Sequence, residues 1–212
     1  LYDNNVNLYD WGFVYADTRT NYRLDLTISV EDYYQGLKSD SKQRIKKIIS
    51  EKEYYSIDLA TSDDEIDCFA DLYNLNALQN NYTQQYFFTK KDWYILFEDS
   101  NINLVLLKYK GSIISGSVIN MVEGGFDYTF MAYDNTVQDA SRANLFFTWQ
   151  YLLGKGNYLD IGGGINENDS LAKYKISMGG VPILFSRFRF LFNHTDNIYS
   201  TQYAKYLKMR WP

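Results

Sequence analysis

The segment YLDIGGGINENDSLAKYKISMGG, residues 158–180, contains the most informative pattern in the chain. An apolar run reaches Asp160, glycines occupy positions 162–164, and after a polar loop a short helical pattern carries Lys175. Glycines at a strand-to-helix turn expose backbone N–H groups that bind phosphate or a developing oxyanion, and a lysine ammonium adds positive charge. This pattern predicts a site for an anion or a polarised carbonyl. The alternative is a tight turn with a capping aspartate and a surface lysine, and the spacing alone leaves both open.

Helical and extended patterns alternate through the rest of the chain. Ser or Thr followed three residues later by Asp or Glu is typical of helix starts, and it occurs at Ser29, Ser62 and Thr89. Helices are therefore predicted near residues 30–51, 62–79, 90–99, 139–153 and 169–177. Alternating or continuous apolar runs predict strands at 54–59, 102–110, 112–122, 126–133, 157–162 and 182–192.

This order of elements predicts one α/β (α+β) domain. Three successive strands joined by glycine turns, from 102 to 133, form an antiparallel meander, and a helix then leads to the strand that ends at the glycines. A mixed, mostly antiparallel sheet with helices on both faces is expected over residues 26–212. Residues 1–25 show no helical pattern and are interpreted as an N-terminal extension or the remnant of an upstream domain.

Composition narrows the class of protein. The 212 residues carry a net charge of -5, which argues against a uniformly basic surface for DNA or RNA. With one cysteine and one histidine, an internal disulfide is excluded and a zinc site held by the protein is not expected. No apolar run approaches the roughly 20 residues of a membrane span and no cleavable leader is visible, so a cytoplasmic protein with at most peripheral membrane contact is expected.

Two lysine- and arginine-rich stretches stand out against the acidic balance. One lies between Lys38 and Lys47, and the other contains Lys205, Lys208 and Arg210. Such stretches are usually solvated helix faces, although they could also contact tRNA.

The segment 158–180 resembles the C-terminal signature of the Fem-type aminoacyltransferases and their BioF-associated acetyltransferase-like relatives, which belong to the GNAT superfamily. In that signature a strand ends in Asp-x-Gly-Gly, and a loop leads to Leu-x-x-Phe-Lys and a glycine. Residues 22–59 and 111–156 are similar to the family's preceding segments, so the resemblance covers about residues 20–190. It implies a GNAT-like fold, in agreement with the pattern of elements.

The resemblance also implies roles for individual residues. Lys175 corresponds to the lysine that contacts the acyl-donor end, and Tyr174 replaces its usual phenylalanine neighbour. Asp160 and Gly162, Gly163 and Gly164 match the loop after the strand. Candidate catalytic residues are thus Lys175, Asp160 and Tyr174, and candidate donor-binding residues are Gly162, Gly163, Gly164 and Lys175.

The acceptor side is matched by fewer residues. Tyr128 and Tyr133 lie where the family places acceptor-facing aromatics, and Arg44 matches a helix arginine that is either substrate-binding or structural. Relatives often carry an arginine near the acceptor, but residues 80–88 contain none.

The implied reaction is N-acyl transfer by direct attack. An amine of a small molecule or of a bacterial cell-envelope (peptidoglycan) precursor attacks acyl-CoA or aminoacyl-tRNA, without a metal. Lys175 and backbone N–H groups stabilise the oxyanion, and Asp160, or a tyrosine through water, takes the proton. No R/Q-x-x-G-x-G/A sequence for coenzyme A is present, whereas the acidic balance argues against tRNA, so the donor stays open. The alternatives are a catalytically silent GNAT-like binding module, or a core strand with a solvated lysine.

Overall fold

The computed structural model describes residues 13–164 and 169–190. Seven strands form one sheet in the order β2-β3-β4-β5-β6-β1-β7, in which only β5 and β6 are parallel. The strands are β1 (Phe13–Asp25), β2 (Tyr55–Leu59), β3 (Ile102–Tyr109), β4 (Ser112–Val122), β5 (Gly125–Tyr133), β6 (Tyr158–Gly163) and β7 (Val181–Phe190). The helices are α1 (Val30–Gly36), α2 (Ser39–Ser50), α3 (Asp63–Gln79), α4 (Lys90–Phe97), α5 (Ala140–Leu152) and α6 (Ser170–Ser177).

Helices cover both faces of the sheet and create two cores. On one face α1, α2, α5 and α6 bury a large cluster in which the ring of Tyr33 stacks on Trp149 at 4.0 Å between centroids. On the other face α3 and α4 pack Phe69 and Trp93 against β3, β4 and β5. Fully burying a side chain as large as Phe69 stabilises a fold by roughly 3 kcal/mol. The predicted mixed, mostly antiparallel sheet with helices on both faces is confirmed.

The predicted helix 30–51 is two helices. Leu37 is extended (ψ 147°) at the C-terminus of α1, and Lys38 is extended (ψ 154°) before α2. The backbone N–H of Lys38 donates to the carbonyl of Ser177 in α6 at 3.2 Å, a contact that a continuous helix would not allow. Of the three predicted capping boxes, Thr89 makes the reciprocal pair with Asp92, while Ser29 and Ser62 each accept from the backbone N–H three residues on.

Strand β1 lies in the segment that the sequence placed outside the main domain. It pairs with β6 on one side and with β7 on the other, and its Tyr22 and Leu24 are buried in the large core. Residues 13–25 are therefore part of the central sheet. The reason is a two-residue alternation, in which Tyr22, Leu24 and Leu26 are buried and Asp25 is exposed.

Smaller differences concern individual residues. Cys68 lies on the apolar side of the predicted helix 62–79, which indicates a core position, but the structure places it on the exposed surface of α3. Lys205, Lys208 and Arg210 of the second basic stretch lie outside the described residues, as does the predicted end of the last strand. Within the described ranges, no helix combines the length and the apolar character that crossing a membrane requires.

Candidate functional site

The sheet opens between β5 and β6. Their parallel register covers three residue pairs, the last of which joins Asp127 to Asp160. Beyond this pair β5 continues to Tyr133 and β6 to Gly163. Strand β5 also has a bulge against β4, where Val118 pairs with Phe130 and Ile119 with Tyr128. Because ligands bind in crevices at the carboxyl ends of parallel strands, and bulges are frequent beside active sites, the opening is the candidate site.

Asp160 holds the glycine turn at the end of β6. Its carboxylate accepts from the backbone N–H of Gly162 at 2.9 Å and from Asn21 Nδ2 at 3.1 Å, and it pairs with Arg23 Nε at 3.3 Å. Gly162 has φ +70°, the left-handed region that glycine adopts without strain. The turn is therefore fixed by a buried carboxylate that is itself engaged by β1.

Lys175 reaches this turn from α6. Its Nζ donates to the carbonyl of Gly163 at 2.7 Å, and a Cβ on Gly162 would lie 3.4 Å from the same nitrogen. The side chain is only 9% exposed, so the alternative of a surface lysine is excluded. Burial lowers the pKa of Lys175 to about 8, against an opposing effect of Asp160 and Asp169.

Both ends of α6 are fixed, and this sets the position of Lys175. At the N-terminus the side chain of Asp169 accepts from the backbone N–H of Ala172 at 2.7 Å. At the C-terminus Gly179 has φ +86°, and the N–H of Gly180 donates to the Lys175 carbonyl at 2.9 Å. The final glycines of the 158–180 segment therefore form a helix C-cap.

Tyr174, on α6, contacts the start of α5. Its hydroxyl donates to the Ser141 carbonyl at 3.2 Å, and the Arg142 guanidinium lies 5.5 Å from the centre of its ring. Burial raises the pKa of Tyr174 to about 12, although Arg142 offsets part of the rise. At neutral pH this hydroxyl is a hydrogen-bond donor.

Tyr128 belongs to a buried polar network under β4 and β5. Its hydroxyl donates to Asn144 Oδ1, which also accepts from Ser117, while Asn144 Nδ2 donates to Ser115 at 3.0 Å. Burial raises the pKa of Tyr128 above its usual range. The hydroxyl that the sequence placed towards the acceptor is thus directed at α5.

Tyr133 ends β5 at the mouth of the opening. The side chain of Asn76 binds both of its backbone groups, accepting from the N–H at 2.8 Å and donating to the carbonyl at 2.7 Å. The Tyr133 side chain stays half-buried, and Gly164, also half-buried, is the last described residue before the loop. These two residues therefore flank the opening from β5 and β6.

Arg44 connects α2 to the start of α5. Its guanidinium pairs with Asp139 at 2.9 Å and with Asp40 at 3.2 Å, and Arg142 contacts the same two carboxylates. These contacts give Arg44 a structural role, and its proposed role in substrate binding stays a prediction.

The structure adds residues that sequence reasoning missed, namely Asn21, Arg23, Asn76, Arg142 and Asn144. Asn21 and Arg23 lie on the unpredicted strand β1, where the alternation of Tyr22 and Leu24 was the available signal. For the other three residues no local pattern indicates a role.

Two further features of the described residues bear on the site. No group of three or more His, Cys, Asp or Glu side chains there is placed to hold a metal ion. An open groove of about 660 Å³ lies at the other end of β6, lined by residues 26–29 and 153–157. It contains none of the predicted site residues.

Comparison with known proteins gives a fold. No protein-family model and no curated protein matches the sequence. Among solved structures, FemX superimposes with a TM-score of 0.65 at 14% identity over 84% of this chain. L-PGS from Bacillus licheniformis gives 0.57 at 14% identity over 95%, and the C-terminal domain of a putative lysylphosphatidylglycerol synthetase from Agrobacterium fabrum gives 0.54 at 14% over 85%. This chain spans 66%, 67% and 62% of those three chains. The chain therefore shares the fold of these three structures, in agreement with the fold expected from the resemblance.

Proposed function

We propose that the protein is an N-acyltransferase whose site is the opening between β5 and β6. The observation that carries this proposal is the buried ammonium of Lys175, held 2.7 Å from the glycine turn where the two strands part. Burying a charged group costs free energy, and perturbed lysines in a crevice are typical of sites that act on developing charge. The fold shared with FemX and with the synthetase domain supports the same class of reaction.

In the proposed reaction a neutral amine attacks the acyl carbonyl carbon of the donor. A C–N bond forms, and the C–S bond of acyl-CoA or the C–O ester bond of aminoacyl-tRNA breaks. The Gly163 carbonyl accepts one of the three N–H donors of Lys175, and another donates to the oxyanion. The proton of the amine passes to water, and the leaving sulfur or oxygen takes a proton from water.

Asp160 has a positioning role in this scheme. Its carboxylate accepts from three donors on β1 and the glycine turn, and it favours the charged form of Lys175. Tyr174, with a pKa of about 12, and Tyr128 are protonated at neutral pH, so neither serves as a base.

A binding experiment distinguishes the two classes of donor, acyl-CoA and aminoacyl-tRNA. Coenzyme A, acetyl-CoA and a non-hydrolysable aminoacyl-adenosine are each compared for thermal stabilisation. A ligand at 100 times its dissociation constant adds about 2.7 kcal/mol to the free energy of unfolding.

Both donor classes are made in the cytoplasm, so we place the protein there, with a small-molecule or envelope-precursor acceptor.

Transfer itself is tested with Lys175→Ala against Lys173→Ala. Lys173 lies on the same helix but is exposed, and it is the matched control. Loss of one oxyanion donor lowers kcat by about 10²-fold or more, so Lys175→Ala is expected to lose at least this factor and Lys173→Ala to keep the wild-type rate. Equal transfer by both variants, or no transfer by wild type with either donor class, would favour a silent binding module.

The pH dependence identifies the protonation state of Lys175 that is active. Because the ammonium is the proposed donor and its pKa is about 8, kcat should fall as pH rises through 8. A kcat that instead rises through pH 8 in wild type but not in Lys175→Ala would make the neutral lysine amine a general base and refute the oxyanion role, whereas a rise shared by both proteins reports deprotonation of the acceptor amine.

A further inference from the structure

The end of α3 and the loop after it form an uncharged surface beside the proposed site. Residues 72–89 contain no Asp, Glu, Lys or Arg, although charged residues make up 22% of the chain. Within this segment Tyr82 is 46% exposed, and its ring centre lies 5.6 Å from that of Tyr86. We call Tyr82, Tyr86 and the neighbouring Tyr133 the tyrosine rim.

Backbone contacts fix the rim in place. The N–H of Tyr82 donates to the Ala77 carbonyl at 2.9 Å, and Asn81 adopts a left-handed conformation with φ 54°. Below the rim, Tyr73 packs with its ring centre 5.6 Å from Phe88 and 5.0 Å from Trp93. The rim therefore rests on the core formed by α3 and α4.

Tyr133 connects the rim to the opening between β5 and β6. Its backbone is bound by Asn76 of α3, one position before the Ala77 that holds Tyr82. Partial burial raises the pKa of Tyr82, and Tyr133 and Tyr86 add to the rise. Tyr133 also raises the pKa of Tyr174, next to Lys175. The rim thus borders the mouth of the proposed site.

The side chains along this border are mainly aromatic rings and amides. Asn135 donates to Gln79, which joins the loop after β5 to the end of α3. Arg44 on α2 and Arg142 at the start of α5 are both paired with Asp139 and Asp40. Arginine and lysine side chains form the strongest hydrogen bonds with phosphate and carboxylate, and the rim segment supplies neither residue.

We propose that the acceptor is an amino sugar without phosphate or carboxylate groups, stacked on the tyrosine rim. The rings cover the apolar face of a sugar ring, their hydroxyls and the neighbouring amides bind its hydroxyls, and their faces attract its ammonium before deprotonation. This inference rests on the proposed function: the sugar amine forms the new C–N bond and the donor sulfur or oxygen departs.

Binding is tested without donor, using glucosamine, galactosamine and mannosamine and their 6-phosphates. At least one unphosphorylated sugar should bind wild type at least tenfold more tightly than its 6-phosphate, and Tyr82→Ala should weaken that binding at least tenfold. Tyr82→Phe retains the ring and should lose less. Tyr54→Ala is the matched control, because Tyr54 is also 46% exposed and lies immediately before β2. Thermal unfolding confirms that each variant is folded.

Three results overturn the inference: no binding of any unphosphorylated sugar, equal or tighter binding of the 6-phosphates, or unchanged binding by Tyr82→Ala. The proposed function is judged separately, because Lys175→Ala should bind the sugar normally but fail to transfer. If wild type acylates other amines while rim variants keep its acceptor KM, only the rim assignment falls. If the sugar binds but no donor is consumed, the acyltransferase proposal falls, and the rim remains a sugar-binding site rather than an acceptor site.

Discussion

Burial removes most of the water around the Lys175 ammonium, and contacts with the protein compensate for this loss only in part. The Gly163 carbonyl takes one of its N–H groups, and the carboxylates of Asp160 and Asp169 provide compensating charge. The pKa of about 8 shows that burial outweighs both carboxylates. In the folded state the charged form is therefore disfavoured, which means that the residue most important for the proposed reaction lowers the stability of the fold.

This cost gives a prediction for Lys175→Met. Below pH 8 the lysine is protonated in both states, so the cost is fully present; between about pH 8 and 10.5 the folded state has released the proton, and the cost disappears as pH rises. The lowered pKa of Lys175 corresponds to a destabilisation of about 3 kcal/mol. Lys175→Met removes this cost but also loses the hydrogen bond to Gly163, which contributes about 1 kcal/mol. Lys175→Met should therefore be more stable than wild type at pH 7, and this advantage should vanish by pH 10.

Urea unfolding at pH 7 and pH 10 measures the difference, and buried tyrosines affect both proteins equally. Lys173→Met serves as control, because its exposed side chain should show no such dependence. A difference between Lys175→Met and wild type that stays constant from pH 7 to pH 10 would refute the account.

For single residues, the sequence predicted contacts between positions that lie close together in the chain. Lys175, Asp160 and the glycines lie within one short segment and are in contact in the structure, while their catalytic and donor-binding roles stay predictions. The partners of Asp160 were not predictable in this way, because Asn21 and Arg23 lie 139 and 137 positions away in the chain. Their roles depend on the pairing of β1 with β6, which no motif encodes.

Secondary structure elements were predicted well where periodicity was strong. The meander β3–β5, the helix α5 and the last three elements agree with the apolar patterns to within one or two residues over the described ranges. The break between α1 and α2 was missed because it depends on a tertiary contact between Lys38 and Ser177. Capping patterns depend on neighbouring residues only, so they do not predict a hydrogen bond to the Ser177 carbonyl in α6.

Asn76 gives a prediction for the end of β5. It is 4% exposed and binds both backbone groups of Tyr133, so Asn76→Leu leaves a buried donor and acceptor without partners. Each such group costs about 1–3 kcal/mol, and the free energy of unfolding should fall by about 2–5 kcal/mol. Leu78→Ala, on the same helix but 63% exposed, should change it by less than about 0.5 kcal/mol. Chemical denaturation of both variants decides, and equal stabilities would show that the contact with Asn76 is dispensable.

The whole molecule depends on one sheet that β1 completes. This strand separates β6 from β7 and contributes Tyr22 and Leu24 to the large core. The sequence predicted the fold class and both helical layers, because amphipathic patterns indicate which side of an element is buried. The sequence pattern placed residues 1–25 outside the domain, because one alternating strand cannot be assigned to a sheet until its neighbouring strands are known.

Removing residues 1–25 tests that assignment. Without β1, β7 loses its described neighbour and β6 keeps only the short parallel contact with β5. We expect the 26–212 fragment to lack a cooperative unfolding transition in circular dichroism and to expose apolar surface to a hydrophobic dye. A fragment that unfolds cooperatively, with a melting temperature near that of the full chain, would restore residue 26 as the domain boundary.

The central position of β1 also affects how the chain is made. Of the described strands β1 is synthesised first, but both of its neighbours, β6 and β7, are synthesised after all the others. At 5–20 residues per second the interval is on the order of ten seconds, during which both edges of β1 have no partner. Pairings of such long sequence separation form slowly. Nascent chains of this protein should therefore depend on chaperones that shield extended segments until β7 has been synthesised.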